Sequence, residues 1–323
     1  MKAVVMYPAE ALPRYEEVSD PLIQNADEEL IQVKAVAIKN YDKARATGSH
    51  YSSQPPAATG RIIGGDGVGL LPNGTRVYGI GVTGMLAEKA VVQKDRMIPL
   101  PDALDNATAA ALPNAVYGAA MGLRFKAGIQ PGDVVLINGA TGFTGRMAVQ
   151  IARLYGAGKI IVTGRNTEAL QQLLPLGADE LIAITPDDAA FTSQLKAIHA
   201  QTPVNIVMDY LWGHTTELIL ACLKGDGGFT APLRYVSVGS MAGDTIQLSA
   251  AILRSVNLQL TGSGLGSWTK PEVQELFRDI LPEMFRLAAD GTLKVPVHTI
   301  GIEATETIWT QEVQNGARLV VTL

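Results

Sequence analysis

The chain has 323 residues, of which 47% are hydrophobic and 18% charged, with a formal net charge of −5. That length and apolar content suffice for a sizeable core in two domains, and an acidic chain without a long basic run argues against nucleic-acid and anionic-membrane partners. Cys222 is the only cysteine, which excludes an intrachain disulfide and a cysteine-rich zinc site.

The first eight residues hold too short an apolar run for a signal peptide, and no run approaches the roughly 18 apolar residues of a membrane span. A soluble cytoplasmic protein is therefore expected. Strands are expected at residues 1–6, 29–38, 75–80 and 87–92, around a glycine-dense turn region at 60–69. This texture predicts a compact all-β module, with no helix-strand alternation until after Pro101. An alanine-rich helix is expected over residues 106–124, interrupted near Pro113.

Pro131-Gly132-Asp133 then turns into Val134-Val135-Leu136-Ile137, four apolar residues that read as a strand buried on both faces. Gly139 and Ala140-x-Gly142-x-x-Gly145 follow at once, and residues 146–154 read as a helix. Strand, tight turn and helix come in the order a dinucleotide-binding unit needs. Gly142 lets the backbone approach a pyrophosphate, Gly145 lets the helix sit close, and the helix start offers N–H groups to phosphate. Gly139, Ala140, Thr141, Gly142, Phe143 and Thr144 are therefore the candidate pyrophosphate contacts. A phosphate-binding loop of the nucleotide-hydrolase kind needs Gly-Lys-Ser/Thr at its end, which Thr144-Gly145-Arg146-Met147 does not supply.

A second strand at residues 159–163 completes a βαβ unit. It ends in Thr163-Gly164-Arg165-Asn166, where an NAD site usually carries Asp or Glu for the ribose hydroxyl. No carboxylate stands there. Arg165 can pair with a 2′-phosphate, and Thr163 and Asn166 can add hydrogen bonds, so NADP(H) is the expected cofactor. A helix at 168–174 and strands at 180–184, 206–210, 235–238 and 258–260 continue the alternation, which means a parallel, doubly wound sheet. Ligands lie at the carboxyl ends of such strands. Tyr210, Leu211, Gly239, Ser240 and Ser263 are further cofactor candidates on that ground, with turn chemistry as the other reading. A helix with an apolar stripe is expected at 271–289 and a last strand at 318–323. No internal repeat is present.

Several stretches together resemble the medium-chain dehydrogenase/reductases, in their zinc-independent, quinone-oxidoreductase-like form. They are Met1-Lys2-Ala3-Val4-Val5, Asp66-Gly67-Val68-Gly69, Gly74-Thr75-Arg76-Val77, Ala109-Ala110-Ala111-Leu112-Pro113, Gly132-Asp133-Val134-Val135-Leu136-Ile137, Ala148-Val149-Gln150-Ile151-Ala152 and Leu176-Gly177-Ala178-Asp179-Glu180. The resemblance implies a GroES-like β-rich catalytic domain, residues 1–115 and 263–323, interrupted by a Rossmann NADP-binding domain, residues 116–262. It also brings Asn114 and Tyr117 near the cofactor. Zinc-dependent relatives place a cysteine where Lys39 stands and a histidine where Gly65 stands, so absence of zinc is expected.

Without a metal to polarise a simple ketone, a conjugated acceptor that spreads the incoming charge is the expected substrate. NADPH would pass hydride to a quinone or to the β-carbon of an α,β-unsaturated carbonyl. Lys39 and Asn40 are candidates for bonding the nicotinamide ribose or the substrate oxygen. Tyr51 resembles a pocket tyrosine of quinone-reductase relatives. Against these stand a surface cation at Lys39 and a packing residue at Tyr51. Asp42 is expected to fix its loop, and His50 is either a proton source or solvated. An enoyl-thioester or other carbonyl reductase, and a non-catalytic NADPH-binding redox sensor, are the alternatives. Residues 256–262 alternate apolar and polar, without proline or charge. They form an open edge for a homodimer, unless the strand is covered within one chain.

Overall fold

The structure, a computed structural model, describes all residues except 9, 49, 51–58, 312, 314 and 315. Two compact units divide the chain, Met1–Asn114 with Phe277–Leu323, and Ala115–Leu276.

In the first unit β1 (Lys2–Met6), β2 (Arg14–Glu17), β3 (Glu28–Ile38), β4 (Arg61–Ile62), β5 (Asp66–Leu70), β6 (Arg76–Ile80), β7 (Lys89–Gln93) and β8 (Ile98–Pro99) make two sheets. β1 lies between β2 and β4. β3 pairs antiparallel with β5 and β7, β5 with β6, and β6 with β8. Ile31, Val33, Val36 and Ile38 of β3 are buried in one apolar cluster with Val77, Met85, Leu86 and Val92. Burying these side chains drives the sheets together, at about 1.5–3 kcal/mol each.

The expectation of an all-β module is corrected here. Helix α1 (Asn40–Thr47) follows β3 directly. Asp42 is its only buried residue, so no apolar stripe of helical period announces it. Local capping closes both ends: Asp42 Oδ2 accepts the Lys39 N–H at 3.1 Å, and Gly48 ends the helix at φ 78°, a left-handed position suited to glycine. A second correction concerns Pro113. Helix α2 (Asn106–Val116) runs through it and continues as a π-helical stretch, Tyr117–Lys126. An interior proline removes one ladder bond, and the burial of Ala109, Ala110, Ala111, Leu112, Ala115 and Val116 outweighs that loss.

The second unit contains β9 (Val134–Asn138), α3 (Phe143–Leu154), β10 (Lys159–Gly164), α4 (Thr167–Gln171), β11 (Glu180–Ala183), α5 (Asp188–Gln201), β12 (Ile206–Asp209), α6 (His214–Cys222), β13 (Leu233–Ser237), α7 (Ala250–Ser255) and β14 (Leu258–Gly262). Its six strands order as β11-β10-β9-β12-β13-β14, and every adjacent pair is parallel. The chain winds outward from β9 in one direction and from β12 in the other. The switch between them is where a doubly wound sheet opens a ligand crevice. The expected helix at 271–289 is present as α8 (Lys270–Glu275), a π-helical stretch Leu276–Ile280 and α9 (Leu281–Ala289). Finally β15 (Val297–Gly301) pairs with β16 (Arg318–Thr322), which adds to β3 of the first unit. Among the described residues no helix is long and apolar enough to cross a membrane.

Candidate functional site

All five residues of β9 are buried, and its last residue, Asn138, leads into the glycine-rich turn. Gly139 takes φ 84°, and a Cβ there would stand 2.7 Å from Leu211 Cγ. Both facts require glycine. A Cβ on Gly145 would stand 2.5 Å from Ala140 Cα, so α3 approaches the turn as closely as only glycine permits. A Cβ on Gly142 would meet nothing within 4 Å. Gly142 is the N-cap of α3 and supplies no side-chain cap. The turn therefore presents open space in front of a helix start, the arrangement that takes a phosphate.

Arg146 has a role that its helical position in the sequence did not reveal. It is 6% exposed. Its Nε donates to Thr141 O at 3.2 Å, and its Nη2 donates to Gln172 Oε1 at 2.7 Å. Burial lowers its pKa. Arg146 thus holds the Thr141 carbonyl of the turn and ties it to Gln172.

At the end of β10 an open recess of ≈ 590 Å³ is lined by Thr141, Arg165, Asn166, Thr167 and Glu168. Arg165 is exposed there. Gly164 is required beside it, because a Cβ would stand 2.5 Å from Thr141 Cγ2. Asn166 Oδ1 caps α4 through Ala169 N at 3.0 Å. Glu168 brings into the recess a carboxylate that lies just beyond the four residues read from sequence. Thr163 departs from its expected phosphate contact. It is fully buried, and its hydroxyl donates to Asn138 Oδ1 at 2.7 Å and accepts from Gly139 N at 3.1 Å. The side chain has no surface left for a ligand.

Tyr210, 8% exposed, donates its hydroxyl to Gly118 O at 3.3 Å, and burial raises its pKa. Leu211 is half-buried and Ser240 exposed. Gly239 packs on Tyr210, whose carbonyl oxygen would be 2.9 Å from an added Cβ. Ser263 is buried, and its Oγ accepts from Trp268 Nε1 at 3.1 Å. Trp268 in turn meets the Tyr117 ring edge-on at 6.3 Å. Asn114 is half-buried in α2. A glycine cradle, a helix start and a cationic recess thus lie at the carboxyl ends of adjoining strands, and this combination fits a phosphorylated dinucleotide.

In the first unit Lys39 is not the surface cation of the alternative reading. It is 2% exposed. Its Nζ lies 3.2 Å from Asp42 Oδ2 and bonds Asp66 Oδ1. Asp66 Oδ2 accepts the Tyr78 hydroxyl at 2.8 Å. Asp42 also receives Gly65 N at 3.3 Å, which fixes the loop as expected. Burial alone would lower the Lys39 pKa, but the two carboxylates outweigh it and leave it raised. Burial raises the Asp42 pKa and lowers that of Arg318 to about 10. Asn40 is exposed at the start of α1. His50 stacks edge-on against Tyr41 at 4.9 Å, and burial followed by the Arg45 charge lowers its pKa. Tyr51 lies outside the described residues. Among the described residues no group of three or more His, Cys, Asp and Glu side chains could hold a metal ion.

Residues 144–284 match a family described as zinc-binding dehydrogenase. The chain is 29% identical over 233 residues to a quinone oxidoreductase-like protein 2 homolog of Nematostella vectensis, covering 72% of this chain and 61% of that protein. It is 27% identical to a probable NADPH-dependent quinone reductase of Emericella nidulans, over 96% of both chains. Among solved structures, the quinone oxidoreductase from Thermus thermophilus matches with a TM-score of 0.76 at 25% identity, over 100% of both chains.

Proposed function

We propose that this chain, a quinone oxidoreductase-like member of the medium-chain dehydrogenase/reductases, is an NADPH-dependent reductase of quinones or α,β-unsaturated carbonyls. The observation that carries the reading is the recess at the end of β10, where Arg165 stands beside the open Gly142 turn. The Emericella relative is named for its NADPH dependence, and the Thermus quinone oxidoreductase was solved in complex with NADPH; both support the same cofactor here. In this reading Gly139, Ala140, Thr141, Gly142, Phe143 and Thr144 hold the pyrophosphate. Arg165 pairs with the 2′-phosphate, with Gly164 letting Thr141 of the turn pack close beside it and Asn166 shaping the recess. Asn114, Tyr210, Leu211, Gly239, Ser240 and Ser263 flank the remainder.

Bound NADPH supplies the hydride, and the reduced acceptor takes its proton from solvent or a nearby acid. The donor set supports a zinc-free reaction. Lys39 fills, with its own positive charge, the place between Asp42 and Asp66 where zinc-dependent relatives carry a cysteine. The matched zinc-binding family segment contains neither Lys39 nor Gly65. A conjugated acceptor needs no metal, because it delocalises the charge that hydride brings. Lys39 in this setting orients Asn40 and its loop, and the exposed Asn40 is the group that meets the substrate. A second copy of the chain pairing along β14 and a cytoplasmic setting complete the reading.

NADPH oxidation is to be followed with a panel of quinones and enones. Turnover of either class, insensitive to chelators, is the expected result. NADPH binding without turnover of any panel member would make the chain a binding protein instead.

A further inference from the structure

The second unit holds a buried anion that the proposed reaction does not use. Asp209, the last residue of β12, is fully buried. Its Oδ1 accepts from Asn138 Nδ2 at 2.8 Å, Leu211 N at 2.9 Å and Trp212 N at 3.1 Å. Its Oδ2 accepts from Tyr235 OH at 2.6 Å and from Thr216 Oγ1. All five donors are neutral. A buried carboxylate is tolerated without a cation only where several donors converge on it.

The bonds lead outward to the glycine turn. Asn138, directly opposite Asp209 in the β9–β12 register, accepts from Thr163 Oγ1, and Thr163 Oγ1 accepts from Gly139 N. The oxygen that takes the Asn138 amide, Oδ1, also holds two successive N–H groups of the loop after β12. Trp212 in that loop has φ 58°, the only non-glycine positive φ among the described residues, a conformation that persists only when its surroundings impose it. The two loops also touch, since Leu211 is what a Cβ on Gly139 would strike. One carboxylate therefore fixes both loops that flank the switch between β9 and β12.

We propose that Asp209 is a positioning residue of the dinucleotide site, fixing the Gly139 N–H through Asn138 and Thr163 and the Leu211–Trp212 backbone directly, before the cofactor arrives. This rests on the NADP(H) reading above. Preorganisation of this kind removes the ordering cost from binding. Burial and the Asp209 charge keep the Tyr235 hydroxyl far above its ordinary pKa, so it stays a donor throughout the physiological range.

The test compares NADPH with adenosine 2′-monophosphate, which reaches only the Arg165 recess. Thr163→Val keeps the side-chain shape and removes the relay hydroxyl; Thr163→Ser keeps the hydroxyl. Thr163→Val is expected to weaken NADPH about tenfold while changing the 2′-monophosphate by less than about twofold. Thr163→Ser should bind both as the native chain does, and the Gly139 amide should lose hydrogen-exchange protection in the valine variant alone. If Thr163→Val does not fold, Asp209→Asn takes the same measurements. Equal weakening of both ligands, or native NADPH affinity in a folded Thr163→Val, overturns the proposal. A native chain that binds no NADPH overturns the cofactor reading itself, and is recognised before any variant is made.

Discussion

Arg165 is an exposed guanidinium at the rim of an open recess, and its value to the site is decided by what else the recess contains. Glu168 lines the same space, so the cation works against one nearby negative charge. A bound 2′-phosphate is still favoured, because a guanidinium and a phosphate make charge-assisted bonds. Arg165→Ala should weaken NADPH by roughly 1–3 kcal/mol and leave NADH nearly unchanged. Titrating both nucleotides checks it, and equal losses would remove Arg165 from the 2′-phosphate. His199 carries a second residue-scale prediction. Its Nδ1 accepts the Val204 N–H at 3.0 Å, and burial lowers its pKa. A group with a depressed folded pKa contributes stability that is complete above the unfolded value, about 6.5, and is lost as pH falls through the folded value. Protonation would also set a ring N–H against the Val204 N–H. Melting temperature should therefore drop on acidification below about pH 6.5, less steeply in His199→Gln. Parallel melting curves for the two chains would discard His199 as the cause. Gly139, Gly142, Gly145 and Arg165 were legible in the sequence because backbone freedom and charge are local properties. Arg146, Thr163 and Asp209 were not, because each has at least one partner far along the chain that only the fold brings near: Gln172, Asn138 and Tyr235 respectively.

At the scale of elements, the join between β3 and α1 concentrates the charge of the first unit. Lys39 lies between two carboxylates from α1 and β5 and offsets part of their charge, and Tyr78 of β6 completes the set. Removing one partner from a buried ion cluster leaves the others uncompensated, at about 3–5 kcal/mol. Lys39→Met should lower stability by that order in denaturant unfolding. Adding Asp66→Asn should recover part of the loss, since one stranded charge is then gone. Full native stability in Lys39→Met would show that the cluster contributes little. The strands of the second unit were readable from short β-branched runs bounded by glycine and proline. Helix α1 was not, since its polar residues carry no apolar period and its caps act through Asp42 and Gly48. Pro113 misled for the opposite reason: a strong local breaker was overruled by burial around it.

For the molecule as a whole, the strand alternation after Val134 was enough to foresee a doubly wound sheet. Strand order was not written there, because it depends on which side of β9 each crossover takes. The observed order puts β14 at the end of the sheet among the described strands. One of its edges pairs with β13, and the other presents backbone donors and acceptors. Gln259 and Leu260 are exposed, Leu260 at 38%, and the strand has no lysine or proline to discourage pairing. An unblocked edge invites a partner strand. A two-fold axis beside β14 would satisfy both copies with one antiparallel ladder, so a homodimer is the expected state. Leu260→Lys separates this from a covered strand. An exposed leucine can be replaced without disturbing the monomer, whereas a lysine at the two-fold ladder would face its own copy and repel it. The variant should keep its circular dichroism and melting behaviour at low concentration, and light scattering should show it dissociating at protein concentrations where the native chain remains a dimer. A native chain that scatters as a monomer at micromolar concentration rules the pairing out.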